Sequence, residues 1–485
     1  MPFLIVRRVR LSLSIGLTVF CEYYNKMTTS LIKSNRGKDL LVFENFTFYK
    51  TKVLKSEEVF WRCIQTKCSA KVFTIGSDLT VSRSDLFHNH QPNEKKLNRK
   101  IVSNSCKRKA VDDISEKPSK IIRRTLANNL PATITTTDIS YIRKNMYNCR
   151  RKLMPSGLPS NIQEVQEVVQ TSTPQTSKGE CFLFINCLKS NIILFSCETN
   201  IRVLTEMDIV YMDGTFSYCT KYFLQLFTIH GLTNGHYIPL LYCLLPNKNT
   251  KTYMELFSLL KSNIFEAYKI EFYPKIIYVD FEKAIHNGIV QIWPNTEIKG
   301  CRFHLHQAWY RKIQSLGLTS EFKTDSEIGK WLKHIFGLTY LNPKDVEDCF
   351  VFELMAYKPQ NAILDKFADY LVETYVDSNA IFPPHFWAEG KASISHSTNA
   401  CESFHSHFNS SFYNTHPSIY IFIEKIKEFQ VDTYVRIQSR HIVKPIKDRQ
   451  VKLKLKNLQQ LILKYESHQI GRIDFVKCVS HYNKI

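Results

Sequence analysis

Three carboxylates lie far apart in this chain, each in its own apolar frame: Asp213 in IVYMDGTF, Asp280 in KIIYVDFEKA and Glu402 in STNACESFHSHF. The first two end β-branched, aromatic runs that read as buried strands, and the third sits in a segment that reads as a helix. An ionised carboxylate at the end of a buried strand is costly unless something positive pairs with it. Several such groups converging repel one another unless a divalent cation lies between them. Two Mg2+ or Mn2+ ions about 3.5–4 Å apart in such a site activate the attacking oxygen and stabilise the leaving oxygen of a phosphodiester. These residue types therefore predict metal-dependent phosphoryl transfer.

The elements that must carry these acids follow from spacing. Asp213 and Asp280 are 67 positions apart, which fits several strands and a helix. Asp280 and Glu402 are 122 apart, more than a sheet connection needs, and the excess predicts an inserted helical block. Residues 180–320 alternate strand-like runs (CFLFIN, NIILFSCETN, IVYMDGTF, YFLQLFTIHGL, HYIPLLYCLLP, KIIYVDF) with helical spacing in TYMELFSLLKSNIFEAY and from Phe281 to Val290. Residues 321–395 are mostly helical. Residues 396–435 return with Glu402, and residues 436–485 read as a basic helical tail. The expected class is α/β, a mixed sheet with a helical insertion.

A second constellation lies near the start. Residues 30–91 hold short alternating strands and end in His88-Asn89-His90, with Cys63 and Cys68 between. Two thiolates and two imidazoles suit a closed, tetrahedral structural Zn2+ site. So few residues bury little apolar surface, and a metal staple is physically useful. Residues 92–135, with three prolines and no sustained period, read as a basic polar linker. Its clusters Lys107-Arg108-Lys109 and Lys120 with Arg123-Arg124 resemble a bipartite nuclear import signal. Residues 136–179 begin with a basic amphipathic helix over 137–154 that Asp138 can cap. Arg143, Lys144, Arg150, Arg151 and Lys152 either lie on DNA phosphates or keep their charges in water.

Charge is segregated. Residues 1–160 hold 30 Lys+Arg against 12 Asp+Glu, residues 161–424 hold 21 against 27, and residues 425–485 hold 14 against 5. Basic flanks around an acidic centre are the footprint of a polyanion binder with a cation site. Fourteen cysteines scattered over 485 residues exclude a small secreted disulfide scaffold. Residues 1–29 form an N-terminal extension whose apolar stretch, Leu11 to Phe20, resembles a weak signal peptide and is too short to span a bilayer. The downstream sequence argues against secretion, and residues 1–26 are expected to be a gene-model artefact or dispensable.

The order Gly37…Leu40, Phe48-Tyr49, Trp61-x-Cys63, Cys68, His88-x-His90 resembles a FLYWCH zinc finger, with Leu31 or Ile32 in place of its opening aromatic. Asp213-Gly214-Thr215-Phe216, the YFLQLFTIHG and HYIPLLYCLLPNK runs, Asp280-Phe281-Glu282-Lys283-Ala284, Cys301-Arg302-Phe303-His304 and Thr398 to His405 follow the order of Mutator-like (MULE-type) DDE transposases, over roughly residues 180–435. That resemblance implies a ribonuclease-H-like fold with a helical insertion, DNA strand cleavage and transfer, and Asp213, Asp280 and Glu402 as ligands of Mg2+ or Mn2+. Cys301 and His304 match the family's Cys-x-x-His motif; they orient the active-site strand, contact substrate or bind metal. Glu282 is expected to face outward.

Three functions follow as alternatives. The first is a nuclear transposase acting as a homo-oligomer on DNA, with transposon terminal repeats as its partner and no membrane involvement. The second is a domesticated, catalytically silent DNA-binding protein that keeps the fold. The third is a ribonuclease-H-like nuclease acting on another nucleic acid.

Overall fold

The computed structural model describes residues 29–34, 37–128, 130–154, 157–390, 399–446 and 448–482. The chain divides into two compact units, residues 1–153 and 154–485. The extension over residues 1–28 lies outside the described residues. No helix among the described residues is long and apolar enough to cross a membrane.

In the first unit, β1 (Ser30–Lys33), β2 (Asp39–Phe43), β3 (Phe46–Val53), β4 (Val59–Cys63), β5 (Lys71–Ile75) and β6 (Thr80–Asp85) form one antiparallel meander in sequence order. Alternation puts Leu41, Phe43, Phe48, Trp61 and Val72 in its small core. The buried Trp61 indole N–H donates to Thr74 Oγ1 at 2.9 Å.

The linker expected over residues 92–135 is instead mostly helix: α1 (Glu94–Asp112) and α2 (Pro118–Asn128), followed by α3 (Thr136–Arg151). The three pack around Val102, Cys106, Ile121, Ile122, Ile142 and Met146. Pro118 opens α2, where its missing N–H costs nothing and its fixed φ suits a helix. Both basic clusters expected to be an import signal therefore sit on helices, not on free peptide. Thr135 caps α3; Asp138, expected as the cap, is the reciprocal member of a capping box.

The second unit is built on a seven-stranded mixed sheet. In chain order come α4 (Ile162–Ser172), β7 (Leu183–Cys187), β8 (Ile192–Phe195), α5 (Glu198–Thr205), β9 (Ile209–Thr215), β10 (Gln225–Thr233), β11 (His236–Leu245), α6 (Thr250–Tyr268), β12 (Ile276–Val279), α7 (Lys283–Ile292), β13 (Glu297–Gly300) and α8 (Arg302–Ser315). The strand order is β13-β12-β9-β10-β11-β8-β7. β12 runs parallel to β9 and β13, and the other neighbours are antiparallel. The second half of NIILFSCETN, expected as strand, begins α5, and the short β13 was not anticipated.

Between α8 and the helix of Glu402 the described residues hold no strand. They form α9 (Thr319–Phe322), α10 (Glu327–Ile335), α11 (Pro343–Asp348), α12 (Ala362–Leu371) and α13 (Pro384–Trp387), joined by short 3-10 and π turns. Trp331, Phe336, Phe367 and Trp387 join the same core as the sheet. Then follow α14 (Asn399–Ser410), α15 (Ile419–Ser439), α16 (Arg449–Glu466) and α17 (Arg472–Ser480). The last is no free tail: Phe475, Val476 and Val479 are fully buried.

Candidate functional site

Two sequence-distant strands deliver the first two acids. In the parallel register of β9 and β12, Tyr211 faces Tyr278, and their rings stack with centroids 4.9 Å apart. Two residues further along each strand come Asp213 and Asp280. Side chains two apart share a face, so both acids emerge beside the tyrosine pair. They line one crevice with Gly214, Phe216, Tyr253 and Glu282. Glu282, expected to face outward, lies at this crevice and pairs with Lys248 at 2.9 Å.

Helix α14 covers the tyrosine face. Cys401 is buried against Tyr211 and Tyr278. Phe404 and Phe408 enter a second core with Phe422 and Phe429. Anchored on those sides, the helix turns Glu402 and His405, three residues apart, toward the strand ends. His405 Nδ1 lies 3.2 Å from Asp213 Oδ2. Its Nε2 is 2.8 Å from Thr228 Oγ1, which in turn lies 2.9 Å from His230 Nε2. His230 is buried, and burial holds its pKa well below the ordinary histidine value. In the sequence His405 belongs to the Thr398 to His405 motif, and nothing there marks it as a neighbour of Asp213.

His304 stands among the acids. Its Nε2 is 2.8 Å from Glu402 Oε1 and its Nδ1 3.8 Å from Asp280 Oδ1. One ligand atom each of Asp213, His304 and Glu402 lies within 4.8 Å of the others. Asp280 falls outside that set; its Oδ1 accepts the Phe281 N–H at 2.6 Å. Burial disfavours a charged His304, yet the hydrogen bonds it makes to Cys301 and Glu402 and the charge of Asp280 outweigh it, raising the pKa to about 11. The same His304 bond, aided by nearby cationic groups, outweighs burial and lowers the pKa of Glu402. Cys301 is fully buried at the start of α8, with its N–H on the Val279 carbonyl at 2.8 Å. It bonds His304 and stays outside the cluster of ligand atoms. His306 and Trp309 pack in the core.

Glycine makes room at two points. A Cβ on Gly214 would stand 2.6 Å from Gln225 Oε1, and one on Gly300 would stand 2.5 Å from Phe281 Cζ. Gly214 also donates its N–H to Asp213 Oδ1 at 2.8 Å, and Phe281 carries the N–H that Asp280 accepts.

The donor set fits a hard divalent cation. Among the described residues, the buried Asp213 Oδ2 accepts no well-directed hydrogen bond, although His405 Nδ1 lies 3.2 Å away. An orphaned carboxylate oxygen beside further acidic oxygens is the environment Mg2+ or Mn2+ takes.

In the other unit, Cys63, Cys68, His88 and His90 present four ligand atoms within 4.8 Å of one another. Cys63 Sγ to His90 Nε2, Cys68 Sγ to His88 Nδ1, and the two imidazole nitrogens are each 3.3 Å apart. Tetrahedral zinc with Zn–S of about 2.3 Å and Zn–N of about 2.0 Å needs edges of this order. His90 Nδ1 lies 3.1 Å from the Gln91 carbonyl, so an N–H there leaves Nε2 to bind metal. Burial raises the Cys63 thiol and lowers His88. Neutral imidazoles suit metal binding, and buried thiolates require it.

Of the five basic residues expected on DNA, Arg143, Lys144, Arg151 and Lys152 are exposed. Arg150 is not: it is 3% exposed, and its guanidinium donates to the carbonyls of Ala110, Asp113 and Glu116 at 3.0, 2.8 and 2.6 Å. Its place on the buried side of α3, one turn from Met146, explains the difference.

Residues 209–308 match the MULE transposase domain family, and residues 31–90 match the FLYWCH zinc finger domain family. None of the curated proteins matches the chain.

Proposed function

We propose that this chain, in which a MULE transposase domain follows a FLYWCH zinc finger, is a DNA transposase that cleaves and transfers DNA strands. The carrying observation is the convergence of Asp213 and Glu402, from elements 189 positions apart, beside Asp280 and around His304. The ribonuclease-H-like reading draws support from the run β9 to β13, three antiparallel strands and then two parallel ones, with one acid near the end of the first and another directly after the fourth.

Asp213, Asp280 and Glu402 are the residues that would hold Mg2+ or Mn2+. Such a cation, when bound, supplies activation of the attacking oxygen and charge stabilisation at the leaving oxygen. The chain's own groups do the positioning. His405 orients Asp213, the Phe281 N–H fixes Asp280, and Cys301 with His304 orients Glu402. Lys248, at the crevice beside Phe216 and Glu282, offers a cation to an incoming phosphate. Cys63, Cys68, His88 and His90 would hold zinc, which when bound would staple the finger that contacts DNA. Action on two terminal repeats calls for at least two copies, and the genomic substrate calls for nuclear residence.

The His304–Glu402 pair favours a second reading, a silent DNA-binding protein whose histidine occupies the acids. Strand cleavage separates them. The full chain with Mn2+ and DNA bearing the repeats that flank its gene is expected to nick at the repeat ends, and Asp213→Ala to abolish nicking. Tight repeat binding without cleavage supports the second reading, and repeat-independent cleavage of RNA–DNA hybrids supports a nuclease.

A further inference from the structure

Residues 92–154 carry 16 Lys+Arg against 5 Asp+Glu, or +11. The acids are largely engaged within the bundle. Asp138 is 2% exposed, closes the capping box and pairs with Arg99. Glu116 takes both Lys120 and Arg124. Asp113 accepts the Ser115 N–H at 2.8 Å. After Asp138, α3 contains no acid, and among the described residues no ion pair reaches Arg143, Lys144, Arg151 or Lys152.

The uncompensated charge is ordered. Ile142 and Met146 are fully buried, and opposite them Ser140, Lys144, Tyr147, Asn148 and Arg151 recur three and four apart on one exposed face. Tyr141 and Tyr147 are 56% and 46% exposed. A merely solvated face has no need of exposed tyrosines and asparagine among its cations. The mount is rigid, because the capping box fixes one end of α3 and Arg150 ties the other to the α1–α2 connection.

We infer that α1–α3 form a second DNA-binding module, which sets α3 in the major groove of duplex DNA. This rests on the reading that the chain acts on DNA. A sixteen-residue helix is about 24 Å long, and a groove about 12 Å wide admits it. Lys144, Asn148 and Arg151 face base edges, with Arg143 and Lys152 on the flanking phosphates. Three-helix modules that present their third helix in this way are an established docking geometry. An acidic protein surface would need charge alone, whereas Tyr147 and Asn148 add donors and acceptors one turn from both Lys144 and Arg151.

The test uses the full, zinc-loaded chain and fluorescence anisotropy on duplexes selected from a random pool. Lys144→Ala with Arg151→Ala is expected to weaken duplex binding about 10- to 100-fold, with unchanged thermal stability. The slope of log affinity against log salt should shrink by about 1–2. Asn148→Ala should relax preference by about 5- to 100-fold at one base position. Unchanged affinity and slope in the double variant, with wild type binding duplex, overturns the inference. Equal losses on single-stranded RNA and duplex, with no base preference to relax, also overturn it in favour of a general polyanion surface. Failure of wild type to bind any DNA instead removes the reading on which it rests.

Discussion

His405 Nδ1 stands 3.2 Å from Asp213 Oδ2, and both side chains are 4% exposed. The same imidazole reaches Thr228, whose hydroxyl lies 3.3 Å from the Asp213 carbonyl. The helix that supplies Glu402 thus also brings an imidazole against Asp213, and one element reaches two acids from opposite ends of the domain sequence. Groups behind metal ligands typically govern affinity by about 10- to 100-fold. His405→Ala is accordingly expected to weaken Mn2+ binding by that factor, read by calorimetry on folded protein, and His405→Gln to restore part of it. Mn2+ affinity unchanged in His405→Ala would show that the imidazole does not set Asp213.

Gly300 ends β13 with two phenyl rings against its α-carbon. An added Cβ would stand 2.5 Å from Phe281 Cζ and 2.6 Å from Phe386 Cε1. The Phe281 ring is packed by Tyr375, Phe382 and Phe386, which oppose its turning away, and its backbone N–H is the one that Asp280 accepts. Gly300→Ala should therefore cost about 1–3 kcal/mol in denaturant melts, as overpacking does. Cleavage should fall further than the lost stability explains. A variant with wild-type stability and wild-type cleavage would mean that the rings have room to turn.

Much of this site could be read from residue types because chemistry and burial coincide there. The runs IVYMD and IIYVD announce strands, and an acid ending each marks an exception to burial. The position of His304 between the acids could not be read, since it depends on α8 turning back over the sheet. His405 was hidden for a similar reason: only the packing of α14 distinguishes it from His407. Helix α1 escaped because its buried stripe is Leu97, Val102, Ser103, Cys106 and Ala110, small and weakly apolar among many charges. Helix α2 is hard to read because three prolines within residues 92–135 suggest a linker, although the ring of Pro118 favours a first helical turn.

Acid should loosen the helical segment before it titrates the carboxylates. Burial, with Arg302 adding to it, pushes His306 down to about 3. Burial, then Lys477, His481, Lys330 and Lys333, push His334 down to about 4. Both folded values lie below the unfolded value of 6.5, so the folded state favours the neutral rings. Their contribution is complete above 6.5 and is lost as pH falls toward 4 and then 3. Urea melts at pH 7.5, 6 and 5 should show declining stability, and His334→Asn should flatten the decline. An equal decline in the variant would assign the acid sensitivity to other groups.

Arg150 and Arg151 are adjacent in sequence and opposite in role. The Arg150 guanidinium satisfies three carbonyls at the α1–α2 connection, while Arg151 faces out. Removing Arg150 leaves those acceptors without their donor, and hydrogen bonds from a charged group contribute about 1.5–3 kcal/mol. Arg150→Ala is therefore expected to destabilise the bundle by about 3 kcal/mol, visible as earlier proteolysis within residues 94–151. Arg151→Ala should leave proteolysis unchanged, because an exposed side chain on a helix face contributes little to the fold. If both variants resist protease like wild type, Arg150 is not what fastens α3, and the rigid mount of that helix must be sought in its capping box and its Ile142 and Met146 packing.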